Sequence, residues 1–75
     1  MRRMEHILAV IGREDDLYVA LSPEYDIASQ GATVEEAKAN LVEAVELFFE
    51  TASEAEVARR SRGDLYVTSV EVAVG

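Results

Sequence analysis

The chain has 75 residues, 49% of them hydrophobic, and contains no cysteine. A polypeptide of this length forms one domain with a small core, here over residues 1–75, and the lack of cysteine excludes disulfides and thiolate metal sites. The net charge of −8, from fifteen acidic against seven basic residues, repels phosphate backbones, so we expect no direct nucleic-acid binding. No apolar run approaches the roughly 18 residues of a membrane span and no signal peptide is indicated, so we expect a cytoplasmic protein.

Three short strands are predicted in the amino-terminal half. Residues 7–11 form a continuous apolar run with β-branched ends, and the polar residues 12–16 then read as a hairpin connection. A second strand follows over residues 17–21. It is broken by Pro23, which cannot donate to a ladder, and a short third strand over residues 27–30 ends at Gly31.

One long helix is predicted to begin at Thr33, because Thr33 and Glu36 have the spacing of a capping box. At about 100° per residue, an apolar stripe that faces the core contains Val34, Ala37, Leu41, Ala44, Val45, Phe48 and Ala52. Ser53 and Glu56 repeat the cap signature, so the helix is expected to break there and a short second helix to run to Arg60.

The side of the long helix opposite this stripe is acidic: it carries Glu35, Glu36, Glu43, Glu46 and Glu50. Such a face is either a solvated surface or a docking surface for a basic protein. We select Glu43, Glu46 and Glu50 as candidate partner-binding residues. Tyr25 joins them, since it lies near Pro23 in a turn, where it is expected to be the most exposed of the three tyrosines and to act as a contact anchor.

A last strand is predicted over residues 65–74, with Tyr66, Thr68, Val70, Val72 and Val74 on one face. The fold class is then α+β: a small antiparallel-rich sheet of element order βββααβ with its helices on one face. The second face of the sheet has no cover within the chain, although the strands have apolar residues on both sides. We therefore expect a homo-oligomer, a dimer or larger, in which another copy packs on that face or along an edge.

No residue cluster predicts a reaction, so we expect neither an enzyme nor a cofactor. His6 has no nucleophile near it in the sequence, and the serines lack the context of a nucleophile elbow. Asp15, Asp16, Glu24 and Asp26 supply oxygen ligands in two loops but lack a known cation-binding spacing, so no metal site is predicted. A remnant of a metal-dependent nuclease that uses Asp15, Asp16 and Asp26 remains an alternative.

Residues 18–50, about half of the chain, resemble the HicB-type antitoxin domain. The resemblance rests on the order and spacing of Pro23-Glu24-Tyr25-Asp26, Gln30-Gly31, Thr33, Glu35-Glu36-Ala37, Asn40-Leu41 and Glu43-Ala44. It implies a fold similar to a partial RNase H fold that lacks the catalytic acids of the nuclease. It also implies a function: a HicB-like antitoxin covers a small basic ribonuclease toxin of HicA type.

The sequence departs from the fuller family pattern in an important respect. Many HicB-like proteins carry a carboxy-terminal helix-turn-helix or ribbon-helix-helix segment that binds DNA, and no such segment is expected here, which puts transcriptional regulation in doubt. Two functions stay open. One is a stand-alone antitoxin-type protein-binding module, and the other is an orphan oligomeric HicB-like domain without a toxin, with a structural or small-ligand role.

Overall fold

The computed structural model describes residues 4–61, 63 and 65–75, and within them an antiparallel sheet is followed by two helices. The strands are β1 (Val10–Glu14), β2 (Leu17–Ser22) and β3 (Ile27–Gly31), in the order β1-β2-β3. The helices are α1 (Val34–Thr51) and α2 (Glu54–Arg60). This confirms the α+β class and the βββαα part of the predicted order. Neither helix in the described ranges is long and apolar enough to cross a membrane.

The first strand lies three residues further along the chain than predicted. The sequence favours residues 7–11, but β1 is Val10–Glu14, and only Asp15 and Asp16 form the turn to β2. Asp15 adopts a positive φ of 54°, a conformation that Asp tolerates better than most residues. The tight turn pairs Glu14 with Leu17 and so draws the polar residues Gly12 to Glu14 into the strand.

The predicted last strand is wrong for this chain. Residues 65–75, all of them described, have no regular secondary structure and are exposed throughout. The reason is that a strand exists only when its backbone groups pair with a neighbour, and this segment lies along no other strand in the described chain. The radius of gyration is 14.6 Å, whereas a compact domain of this length has about 11 Å. The segment therefore extends away from the rest of the fold.

Side-chain caps begin both helices, as the sequence predicts. Thr33 Oγ1 accepts from the Glu36 backbone N–H at 3.0 Å, and Glu36 Oε1 accepts from the Ala32 N–H, one residue before the cap. Ser53 Oγ accepts from the Glu56 N–H at 3.1 Å and begins α2. Extended backbone at Ala52 separates the helices.

Helix α1 packs against one side of the sheet, which we call the covered face. The buried apolar residues of the described chain are Ala20 of β2 and Ala37, Leu41 and Val45 of α1. Ile7, Ile11, Tyr18 and Ile27 pack against them. Ser22 is also fully buried on this face, and its Oγ has no hydrogen-bond partner among the described residues. The core is small, and it lies between β2 and α1.

Gly31 is the point of closest approach between sheet and helix. A Cβ built on Gly31 would lie 2.5 Å from the Ala37 backbone nitrogen and 2.8 Å from the Glu36 carbonyl carbon. Atoms that close overlap, so only glycine allows the end of β3 to sit directly against the first turn of α1.

The opposite side of the sheet, which we call the open face, is not covered by any described element. Strand alternation and register place on it Val10, Gly12, Glu14, Leu17, Val19, Leu21, Ala28 and Gln30. Val10 is 50% exposed and Leu17 39%. A shallow depression of about 330 Å³ lies here beside the Asp15–Asp16 turn. The prediction that the chain leaves one sheet face without cover therefore holds for the described residues.

Candidate partner-binding surfaces

The predicted acidic residues Glu43, Glu46 and Glu50 lie together on the solvent side of α1, and we call them the acidic stripe. Their spacing of three and four residues puts them on one helical face, and all three are exposed. Across the described part of the chain, none of the three carboxylates has an ion-pair or hydrogen-bond partner. The stripe is therefore a compact negative field open to solvent.

The position of the stripe is unfavourable for the helix itself. Glu50 lies in the last turn of α1, where the unsatisfied carbonyls carry partial negative charge, and that turn has no basic residue. The helix-stabilising acids are at the other end, where Glu35 and Glu36 occupy the first turn. The position of the stripe therefore gives it no stabilising role in the helix.

Tyr25, the fourth candidate, is half-buried in an aromatic cluster at the β2–β3 turn. Its ring centroid lies 5.9 Å from that of Phe48 and 5.1 Å from that of Phe49, the latter in an edge-to-face arrangement. The Arg60 guanidinium stacks 5.2 Å above the Phe48 ring. The turn and the ends of both helices are therefore packed together around Tyr25.

Arg60 also holds this turn through the backbone. Its Nε and Nη2 donate to the Tyr25 carbonyl at 3.2 and 2.8 Å, and Nη2 also donates to the Asp26 carbonyl. Asp26 has a positive φ of 55°. The guanidinium thus satisfies carbonyls that the tight turn leaves without a ladder partner.

The expectation that Tyr25 is the most exposed tyrosine is wrong. Tyr18 and Tyr25 are both half-buried, whereas Tyr66 in the carboxy-terminal segment is 87% exposed. The sequence near Pro23 indicates a turn, but it does not indicate that the carboxyl ends of α1 and α2 pack against that turn. A role of Tyr25 in partner binding stays a prediction.

The loop acids do not converge. Asp15 and Asp16 lie in the turn that precedes β2, and Glu24 and Asp26 in the turn that follows it, so the two pairs are separated by the six residues of β2. A strand of six residues spans about 20 Å, several times the diameter of a cation site. Glu24 instead accepts from the Leu8 backbone N–H. The described residues contain no group of three or more His, Asp or Glu side chains that could hold a metal.

Sequence reasoning missed a shallow apolar depression between the two helices. It measures about 460 Å³ and is lined by Phe49, Ala52, Glu54, Val57, Ala58 and Ser61. Phe49, 38% exposed, joins it to the aromatic cluster. The bend at Ala52 creates the depression, and the repeated cap at Ser53 was the signal for that bend.

Comparisons with protein-family models, curated proteins and solved structures give no match for this chain.

Proposed function

We propose that this chain is a HicB-like, antitoxin-type protein-binding module that neutralises a small basic ribonuclease of HicA type by covering it. The observation that carries the proposal is the acidic stripe of Glu43, Glu46 and Glu50, exposed and unpaired within the described chain. The resemblance of residues 18–50 to the HicB-type domain supports it independently. A basic ribonuclease surface complements such a stripe, and covering that surface denies it to RNA.

The helix end adds a second line of support. The Glu50 carboxylate in the last turn of α1 opposes the helix dipole, so it lowers the stability of the free protein slightly. A cationic partner would relieve this repulsion on binding. The apolar depression between α1 and α2 would supply a contact of the other kind, an apolar patch beside a charged rim.

The test co-expresses the chain with the small basic protein encoded by the neighbouring gene and measures complex formation and ribonuclease activity on a labelled RNA. We expect a stable complex at micromolar concentrations in which the ribonuclease is inactive. Absence of such a gene, or no complex between the two proteins at those concentrations, would reject the proposal.

The acidic stripe is tested by the triple variant Glu43→Gln, Glu46→Gln and Glu50→Gln. Exposed charge pairs contribute about 0.2–1 kcal/mol each, so binding should weaken about 10-fold, mainly through slower association and with a reduced dependence on salt. The matched control, Glu14→Gln, Asp15→Asn and Asp16→Asn, removes the same charge from the β1–β2 turn. It should change the affinity less than about 3-fold. Equal losses of affinity in both variants would show that net charge, and not the position of the stripe, determines binding.

The second candidate function is an oligomeric domain without a toxin, with a structural or small-ligand role. The open face favours it, because an apolar sheet surface without cover is typical of a chain that packs against another copy. The two candidates differ in their partner: the second forms assemblies of this chain alone and binds no basic ribonuclease.

A further inference from the structure

The carboxy-terminal residues 65–75, which we call the tail, are built like a strand but are not paired. Val67, Val70, Val72 and Val74 are 67–90% exposed. One side of the segment is mainly apolar, and the other side also carries Ser69 and Glu71. Among the described residues the tail makes no hydrogen bond to the sheet or the helices; the bond from Thr68 to the Ser69 carbonyl is internal. Its backbone donors and acceptors are thus free to form a ladder.

Strand β1 offers the matching edge. It pairs with β2 on one side only, and four of its five residues are exposed. Helix α1 packs mainly over β3 and β2, and its Asn40 side chain donates to the Gln30 carbonyl of β3. The β3 edge is therefore partly occupied by the helix, whereas the described chain leaves the β1 edge uncovered.

We propose that two copies of this protein exchange tails, so that residues 65–74 of each copy add as a strand along β1 of the other. The inference goes beyond the proposed function, because it concerns the assembly of this chain with itself. The tail is long enough to span all of β1. Its two rows of side chains, one mainly apolar and one mixed, would continue the two faces of the sheet beside Ile11 on the covered face and Val10 on the open face.

Charge and symmetry both favour a second copy as the occupant. Glu71 is the single charged residue of the tail, so the tail adds little charge repulsion when it meets a second copy of this acidic chain. Reciprocal exchange is a two-fold arrangement, which pairs both tails and both β1 edges at once and leaves neither edge free for further growth.

The first experiment measures the mass of the full chain in solution by sedimentation equilibrium. The chain mass is 8.2 kDa, and we expect a dimer of about twice that mass. Val70→Pro removes a ladder donor in the middle of the tail and should raise the dimer dissociation constant at least about 10-fold. Val70→Thr keeps the N–H and the β propensity, and its dissociation constant should change less than about 3-fold. A monomeric full chain, or a Val70→Pro dimer as tight as the parent, would overturn the proposal.

The second experiment locates the tail and does not depend on the proline variant folding. Since the chain has no cysteine, Glu14→Cys on β1 and Glu71→Cys in the tail can each carry one nitroxide label. A mixture of the two singly labelled chains should give electron–electron distances within about 20 Å, because adjacent strands are about 4.8 Å apart. The doubly labelled chain, diluted into excess unlabelled protein, should not. A short distance in the diluted sample would place the tail on its own β1, and no short distance in either sample would place it elsewhere; both results would overturn the exchange.

Discussion

The two faces of the sheet have similar amounts of apolar sequence but opposite surroundings. On the covered face, Ala20 meets Ala37, Leu41 and Val45, and each is at most 5% exposed. On the open face, Val10 is 50% and Leu17 39% exposed, although both side chains are as apolar as those of the covered face. Strand composition therefore does not determine burial in this protein; the single helix layer does, because it can cover only one face.

The largest expected difference between the two faces is in the free energy of unfolding lost when a leucine side chain is truncated to alanine. Leu41→Ala creates a cavity in the covered core and should lower the free energy of unfolding by about 3 kcal/mol. Leu17→Ala on the open face removes a partly solvated side chain and should cost about 1 kcal/mol or less. Urea unfolding at two low protein concentrations measures both, and equal losses would show that the open face is buried too.

A smaller effect is expected from adding one methyl group at a glycine on each face. Gly31→Ala forces a Cβ against the backbone of α1 and should cost about 2 kcal/mol. Gly12→Ala is the control, since its Cβ would meet no atom within 4 Å. It should stabilise the fold by about 0.5 kcal/mol through the unfolded chain. Thermal unfolding measures the difference, and a tolerated Gly31→Ala would contradict the close sheet–helix contact.

The last comparison concerns two serines, and removal of the buried one is expected to stabilise the fold. Ser22→Ala removes a buried hydroxyl that has no described partner, so it should raise the free energy of unfolding by about 1 kcal/mol. Ser53→Ala is the contrasting serine, because its Oγ caps α2, and its loss should cost about 1 kcal/mol. A destabilised Ser22→Ala would mean that the hydroxyl has a partner in solution, such as a buried water.

The helices were predictable because their signals are local. Each signal lies within one or two helical turns of the sequence: the cap residues Thr33 and Ser53, and the apolar period of α1. The structure has both caps. The shift of β1 was not predictable from apolar content. It depends on the two-residue turn at Asp15 and Asp16, which sets the register, and the polar residues Gly12 to Glu14 had indicated a loop.

The tail shows the limit of a period-two pattern. The alternation over residues 65–74 states which side chains would share a face, but a strand also needs a neighbour, and a sequence does not say where that neighbour is. The acidic stripe was predictable from helical spacing alone. The cluster of Tyr25 with Phe48 and Phe49 was not, because it joins residues more than twenty positions apart.

The hydrogen bonds from Arg60 to the Tyr25 and Asp26 carbonyls fix the end of α2 against the β2–β3 turn, five residues before the tail begins. A segment released from a fixed point explores a much smaller volume than one on a loose linker, so the entropy lost when it meets an edge is smaller. Its anchorage also restricts the orientations in which two molecules can meet. One guanidinium, more than thirty residues along the chain from the carbonyls it holds, thereby limits the positions from which the tail can make a contact.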